Sequence, residues 1–243
     1  MKFSERRRGP VARAFLAAFP LTLPVLAGFL FLGLAYGVLM SAAGVKPIWT
    51  FLMCLFVFAG SLQYLAVPFF AAAFNPLYAF LLTIMVNARH LFYGLSMLDK
   101  IRGAGKYRPY VIFALCDESF SILSSTPPPE GADRGAFLFF VCLLDQSYWV
   151  VSSVLGALLG ELVRFNTRGL DFALTALFVV IFLNQVTDRK NRPSAVIGVL
   201  CSLCCLLIFG SANFILPSMA VMLAVFALFS RRLVPEEREA GPK

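Results

Sequence analysis

Residues 77–97 read LYAFLLTIMVNARHLFYGLSM. As a helix rising about 1.5 Å per residue, this stretch is about 30 Å long, the thickness of a bilayer's hydrocarbon core. Its flanks are apolar, yet Asn87, Arg89 and His90 stand about ten residues from either end, and His90 is the only histidine of the chain. A cation at the bilayer middle costs about 2.5–3.5 kcal/mol on insertion scales, so it is kept only inside a helix bundle or beside a wet cavity. The stretch therefore reads as a membrane helix whose centre faces something other than lipid. At helical spacing Arg89, Tyr93 and Ser96 share one face, and Asn87, His90 and Gly94 share another. Two readings fit: a structural ion pair that holds a bundle together, or contact with a substrate or ion.

The rest of the chain agrees with a membrane setting. Of its 243 residues 60% are hydrophobic and only 14% are charged, with a mean hydropathy of +0.82. A soluble domain carries about 25% charged residues and leaves about a quarter to a third of its chain surface wet, so this much apolar surface excludes it. Disorder is excluded by the same composition. The apolar runs last about 15 to 27 residues without the alternation of barrel strands, so the embedded segments are helices. Eight can be drawn: 15–40, 48–74, 77–97, 110–124, 136–159, 170–187, 194–209 and 214–229. The breaks between them carry turn formers or charge, as at Asn75-Pro76, 126–129 and 188–193. The first run, 26 residues long, exceeds the 7–15 of a signal-peptide core and reads as a retained helix.

The net charge of +8 does not point to nucleic acid. Lys and Arg gather in short loops and at the termini, as at a cytoplasmic membrane surface. If all eight segments cross, the side holding the N-terminus carries 13 of them and the other side 7. If segments two and six dip in and return, the counts become 18 and 2, with both termini cytoplasmic and three crossings per half. That second arrangement is the inverted 3+3 plan of many secondary transporters. An internal echo supports it: Leu55-Phe56-Val57 with Gln63 recurs as Leu177-Phe178-Val179 with Gln185, and Gly33/Gly37 recur as Gly156/Gly160. Against it, segment six lacks a return arm, so the number of crossings stays open. The fold class is an all-α, polytopic helical bundle of six to eight embedded segments, arranged as an inverted repeat with interrupted or re-entrant segments in one of the two schemes. It forms one domain over 1–243, with a basic cytoplasmic N-terminus (1–14) and a cytoplasmic tail (231–243).

Acidic partners for the cation exist. Asp117 and Glu118 fall inside segment four, and Asp145 lies about ten residues into segment five. Asp145, Tyr148, Ser152 and Gly156 make one polar stripe, which must face helices or water rather than lipid. One carboxylate balances Arg89, so three leave at least one to exchange a proton during transport. The run Phe58-Ala59-Gly60-Ser61-Leu62-Gln63-Tyr64 reads as a helix interruption. Its second half begins near Ser61 and offers backbone N–H groups to an anion such as a carboxylate. The plain alternative is a glycine kink at a packing contact. Gly33/Gly37 and Gly156/Gly160 are small-residue faces that suit helix association. The six cysteines all lie in apolar stretches and read as packing residues, including Cys201, Cys204 and Cys205.

No catalytic motif of the GxSxG, HExxH or phosphate-loop kind occurs, so no catalytic residue, metal or cofactor is assigned. An intramembrane hydrolase would need His90 beside Ser61, Ser119 or Ser121, and no spacing fixes that geometry. A passive channel for small solutes is the other alternative to a transporter.

The runs FAGSLQY (58–64), VNARHLFYGLSM (86–97) and GLDFALTALFVVIF (169–182) resemble the AzlC-type permeases, in order and at matching length. That family comprises the large subunits of two-component bacterial exporters of branched-chain amino acids. The resemblance implies efflux of leucine, isoleucine and valine, with methionine in some members, driven by the proton motive force. It also implies a small AzlD-type membrane subunit as partner and a place in the bacterial inner membrane. On the family's motifs it carries over Gly60, Ser61, Gln63, Asn87, Arg89, His90, Tyr93, Gly169, Leu170, Asp171 and Phe172. The substrate-contact candidates are the first seven of these. The proton-coupling candidates, from the reading of the acids above, are Asp117, Glu118 and Asp145.

Overall fold

The computed structural model describes residues 9–71, 75–162 and 192–214, plus short pieces at 179, 182–183, 186–187, 217–218, 220–222, 224–225 and 228; the side chains at 71, 89, 92 and 211–213 lie outside the description. The described elements are helices: α1 (Pro10–Ala42), α2 (Pro47–Phe56), α3 (Gly60–Ala71), α4 (Pro76–Ser96), α5 (Leu98–Arg102), α6 (Arg108–Phe113), α7 (Asp117–Ser125), α8 (Arg134–Leu162) and α9 (Arg192–Asn213). Pro10–Ala42, Arg134–Leu162 and Arg192–Gly210 are each long and apolar enough to cross a bilayer. Large apolar side chains such as Phe31, Leu162 and Leu207 point outward, as a lipid-facing surface requires.

Contacts divide the chain into two compact units, one of residues 1–79 and 86–171, the other of 80–85 and 172–243. In the second unit α9 bends at Gly210, whose φ of +71° suits glycine, and Met222 packs over Gly198. Segment six and the second copies of the Leu-Phe-Val…Gln echo fall almost wholly outside the described residues, as do Gly169, Leu170, Asp171 and Phe172.

The spine of the first unit is the α1–α8 pair. Their glycine faces meet. A Cβ on Gly37 would run into the backbone of Ser153 and Ala157, one on Gly156 into the backbone of Leu34, and one on Gly160 into Ser41. Without those side chains the two backbones approach closely, which is how membrane helices associate where hydrophobicity gives no preference. Thr22 Oγ1 lies 3.1 Å from Tyr148 Oη, and Ser152 Oγ lies 2.8 Å from the Phe29 carbonyl. Tyr148, Ser152 and Gly156 of the polar stripe of α8 thus face α1, a helix rather than lipid.

The pair is parallel. The Asp133 N–H at the start of α8 donates to the Pro10 carbonyl at the start of α1 (3.1 Å), and the far ends meet at Ser41 and Gly160. This corrects the arrangement in which segments two and six dip. There, two full crossings separate α1 from α8, which makes them antiparallel. A parallel pair requires an odd number of crossings between them. It also makes Gly33/Gly37 and Gly156/Gly160 two halves of one packing face rather than copies related by inversion.

Two helices are interrupted. The first break, at 57–59, falls where the sequence places it: α2 ends at Phe56 and α3 starts at Gly60. The Ala59 N–H turns back to the Val57 carbonyl (2.8 Å), and the Ala59 carbonyl accepts from Gln63 N to open α3 (2.9 Å). The second break is a correction. The run 110–124 reads as one segment, yet α6 stops at Phe113 and α7 starts at Asp117. Cys116 caps α7: its N–H donates to Ser119 Oγ (2.8 Å), completing a capping box. Asp117 and Glu118 then sit in the first turn of α7, just past the break, where acids complement the helix dipole. Lys100 closes the other end of α7, donating to the Leu123 and Ser124 carbonyls (2.8 and 3.0 Å).

Candidate functional site

The two breaks and α4 meet at one cavity of about 580 Å³. Phe58 and Ala59 come from the first break, and Phe113 and Leu115 from the edge of the second. From α4 come Asn87, His90, Leu91, Gly94 and Leu95. Its size falls in the range of small-molecule sites, about 300–1,000 Å³, and its walls are mostly apolar with few polar groups, the usual make-up of such sites. The shared face of Asn87, His90 and Gly94 read from helical spacing is the face that lines it.

Asn87 brings a buried side-chain carbonyl with no hydrogen-bond partner among the described residues. His90 Nδ1 lies 3.3 Å from the backbone carbonyl of Asn87, and its ring meets Tyr93 edge-on at 5.7 Å. Tyr93 in turn stacks on Phe120 of α7 at 4.6 Å, tying α4 to the helix that follows the second break. Arg89 stands on α4 between Ala88 and His90, and its side chain lies outside the described residues.

Gly60 and Gln63 do not line the cavity; they belong to a core behind the first break. A Cβ on Gly60 would meet the indole of Trp149 at 3.4 Å. Trp149 Nε1 donates to Gln63 Oε1 (2.6 Å), and Gln63 is wholly buried. Tyr36 stacks on Trp149 at 5.9 Å, and Tyr64 Oη donates to the Leu32 carbonyl (2.6 Å). Ser61 is half-buried at the start of α3.

Asp145 is fully buried on α8, and neither carboxylate oxygen has a hydrogen-bond partner among the described residues. It is within electrostatic reach of Glu118, Cys116 and Cys142. Asp117 and Glu118 are half-buried at the start of α7, two and three residues past the cavity-lining Leu115. The three acids therefore cluster at the second break.

Sequence reasoning missed Gln146. Its Nε2 donates to the Leu55 carbonyl (3.0 Å), a group freed by the first break, and its Oε1 accepts from Tyr110 Oη of α6 (2.5 Å). One buried amide thus joins both interrupted helices to α8. The signal was present: Cys142, Gln146, Trp149 and Ser153 recur at spacings of three and four.

The sequence profile of the family described as AzlC protein matches residues 24–163, more than half of the chain and both helix breaks. The chain belongs to the AzlC family. An AzlC relative from Bacillus subtilis (strain 168), a branched-chain amino acid transport protein, is 48% identical over 95% of this chain and 91% of its own length. An uncharacterized membrane protein of Haemophilus influenzae is 38% identical over 98% of this chain and 97% of its own. Inner membrane protein YgaZ of Escherichia coli (strain K12) is 22% identical over 79% and 82%. No solved structure matches the chain. AzlC proteins are transport proteins, so this chain is a membrane transport protein and not an enzyme.

Proposed function

We propose that this AzlC protein exports leucine, isoleucine and valine, with methionine as a further cargo, by proton-coupled antiport. The carrying observation is the cavity at which two interrupted helices meet α4. Interrupted helices expose backbone donors and acceptors at depth, and transporters tolerate them where they line a substrate site. Kinship over 95% of the chain with a branched-chain amino acid transport protein supports the substrate class.

In this reading the substrate carboxylate binds at the first break, where Ala59 lines the cavity just ahead of Gly60 and Ser61 at the start of α3, with Arg89 as its counter-charge. The unpaired Asn87 carbonyl accepts from the substrate ammonium, beside His90 and Tyr93. Gln63 holds the first break through Trp149. The acids Asp117, Glu118 and Asp145 carry the exchanged proton. The chain acts as one transporter domain in the bacterial inner membrane, N-terminus cytoplasmic, with a small AzlD-type subunit.

The test is export of labelled leucine by cells with and without the gene pair, and with Arg89→Ala. The pair raises export, and Arg89→Ala abolishes it while the protein still reaches the membrane. Undiminished export by that variant refutes the role of Arg89. Leucine flux in proteoliposomes indifferent to a pH gradient would identify a passive channel instead.

A further inference from the structure

We propose that Gly94 sets the size of the amino-acid side chain this transporter accepts, with the substrate lying along α4, its charged end at Asn87 and His90 and its side chain at Gly94. The inference rests on the functional reading above and adds the orientation and the residue that limits size.

Along α4 the cavity wall runs Asn87, His90, Leu91, Gly94, Leu95, Leu98. The polar groups come first and the apolar ones follow. His90 and Gly94 are one turn apart, about 6 Å of helix rise. That is the scale of one amino acid from its charged groups to the end of a branched side chain. Phe113 and Leu115 at the second break add further apolar wall, and Arg108 at the start of α6 adds a cation to the lining.

In this row Gly94 alone leaves a gap among leucines. A Cβ placed on it would meet nothing within 4 Å among the described residues. Gly33, Gly37 and Gly156 behave differently, because another helix occupies the space, while Gly28, which also meets open space, does not line this cavity. Packing therefore does not demand a glycine at 94, and helix propensity disfavours one. What the missing side chain provides is room inside the cavity.

The test compares Gly94→Ala and Gly94→Val with the unchanged full-length chain in cells, measuring export of labelled valine, leucine and isoleucine. A methylene in a hydrophobic pocket shifts selection by about 10–200-fold. Gly94→Val lowers leucine export about ten-fold relative to valine, and Gly94→Ala moves the ratio in the same direction by less. Both variants reach the membrane at ordinary levels, because a Cβ at this position meets nothing within 4 Å among the described residues. Equal losses for all three substrates, an unchanged ratio, or a failure to accumulate in the membrane each overturn the proposal while leaving the transport reading in place. If the unchanged chain moves no branched-chain amino acid, the functional reading falls and this one with it.

Discussion

Asp145 is the acid whose surroundings best suit a proton carrier. Asp117 and Glu118 are half-buried in a first helical turn, where backbone dipoles favour a carboxylate. Asp145 is fully buried, and both its oxygens lack hydrogen-bond partners among the described residues. Gaining or losing a proton there changes a charge with little to offset it, within electrostatic reach of Glu118 at the start of α7. Asp145→Asn keeps the shape and removes the titration. The expected outcome is that exchange of labelled for unlabelled leucine persists, while accumulation driven by a pH gradient disappears. Gradient-driven accumulation retained in the variant would move coupling to Asp117 or Glu118.

The interrupted helices depend on groups outside themselves. A break in hydrocarbon leaves backbone groups unpaired at a cost of several kcal/mol each. Gln146 takes one of them, the Leu55 carbonyl, and is itself held by Tyr110. Gln146→Leu strands both partners, so it should lower stability by about 2–6 kcal/mol, at about 1–3 kcal/mol for each unsatisfied group. Tyr110→Phe removes one bond and should cost about 0.5–1.5 kcal/mol. Because the bonds share one amide, the double variant should cost no more than Gln146→Leu alone, a non-additivity that thermal unfolding in detergent measures. The first break was legible because Gly60 and Ser61 are strong local signals in an apolar run. The second was not, because its cap uses Cys116 and Ser119, and cysteine is a rare helix cap. The spacing of Cys142, Gln146, Trp149 and Ser153 marks the face of Gln146 but not its partners, which lie 91 and 36 residues away, and no local pattern reports a contact across that distance.

Across the whole molecule, composition reveals the membrane and helical spacing reveals the faces, but direction through the bilayer is a matter of parity. The charge count favours segments two and six dipping, because that gathers 18 of the Lys and Arg residues on one side. The glycine contacts between α1 and α8, together with the bond from Asp133 to Pro10, make the helices parallel and exclude that scheme. Direct packing prevails because a reversed α8 would set side chains against the glycine faces, whereas the charge bias only orients the chain during insertion. The two schemes differ at two loops. With segments two and six dipping, Lys46 and Arg134 share the side opposite the N-terminus. With parallel α1 and α8, Lys46 lies opposite the N-terminus, and Glu130 and Arg134 lie on the same side as it. In a chain whose six native cysteines are replaced, Lys46→Cys and Glu130→Cys provide single thiols at the two positions. A membrane-impermeant thiol reagent applied to intact cells should label one and spare the other, and inverted vesicles should exchange the pattern. Labelling of both from the same side would mean that α1 and α8 cross in opposite directions and that the glycine faces do not meet as described.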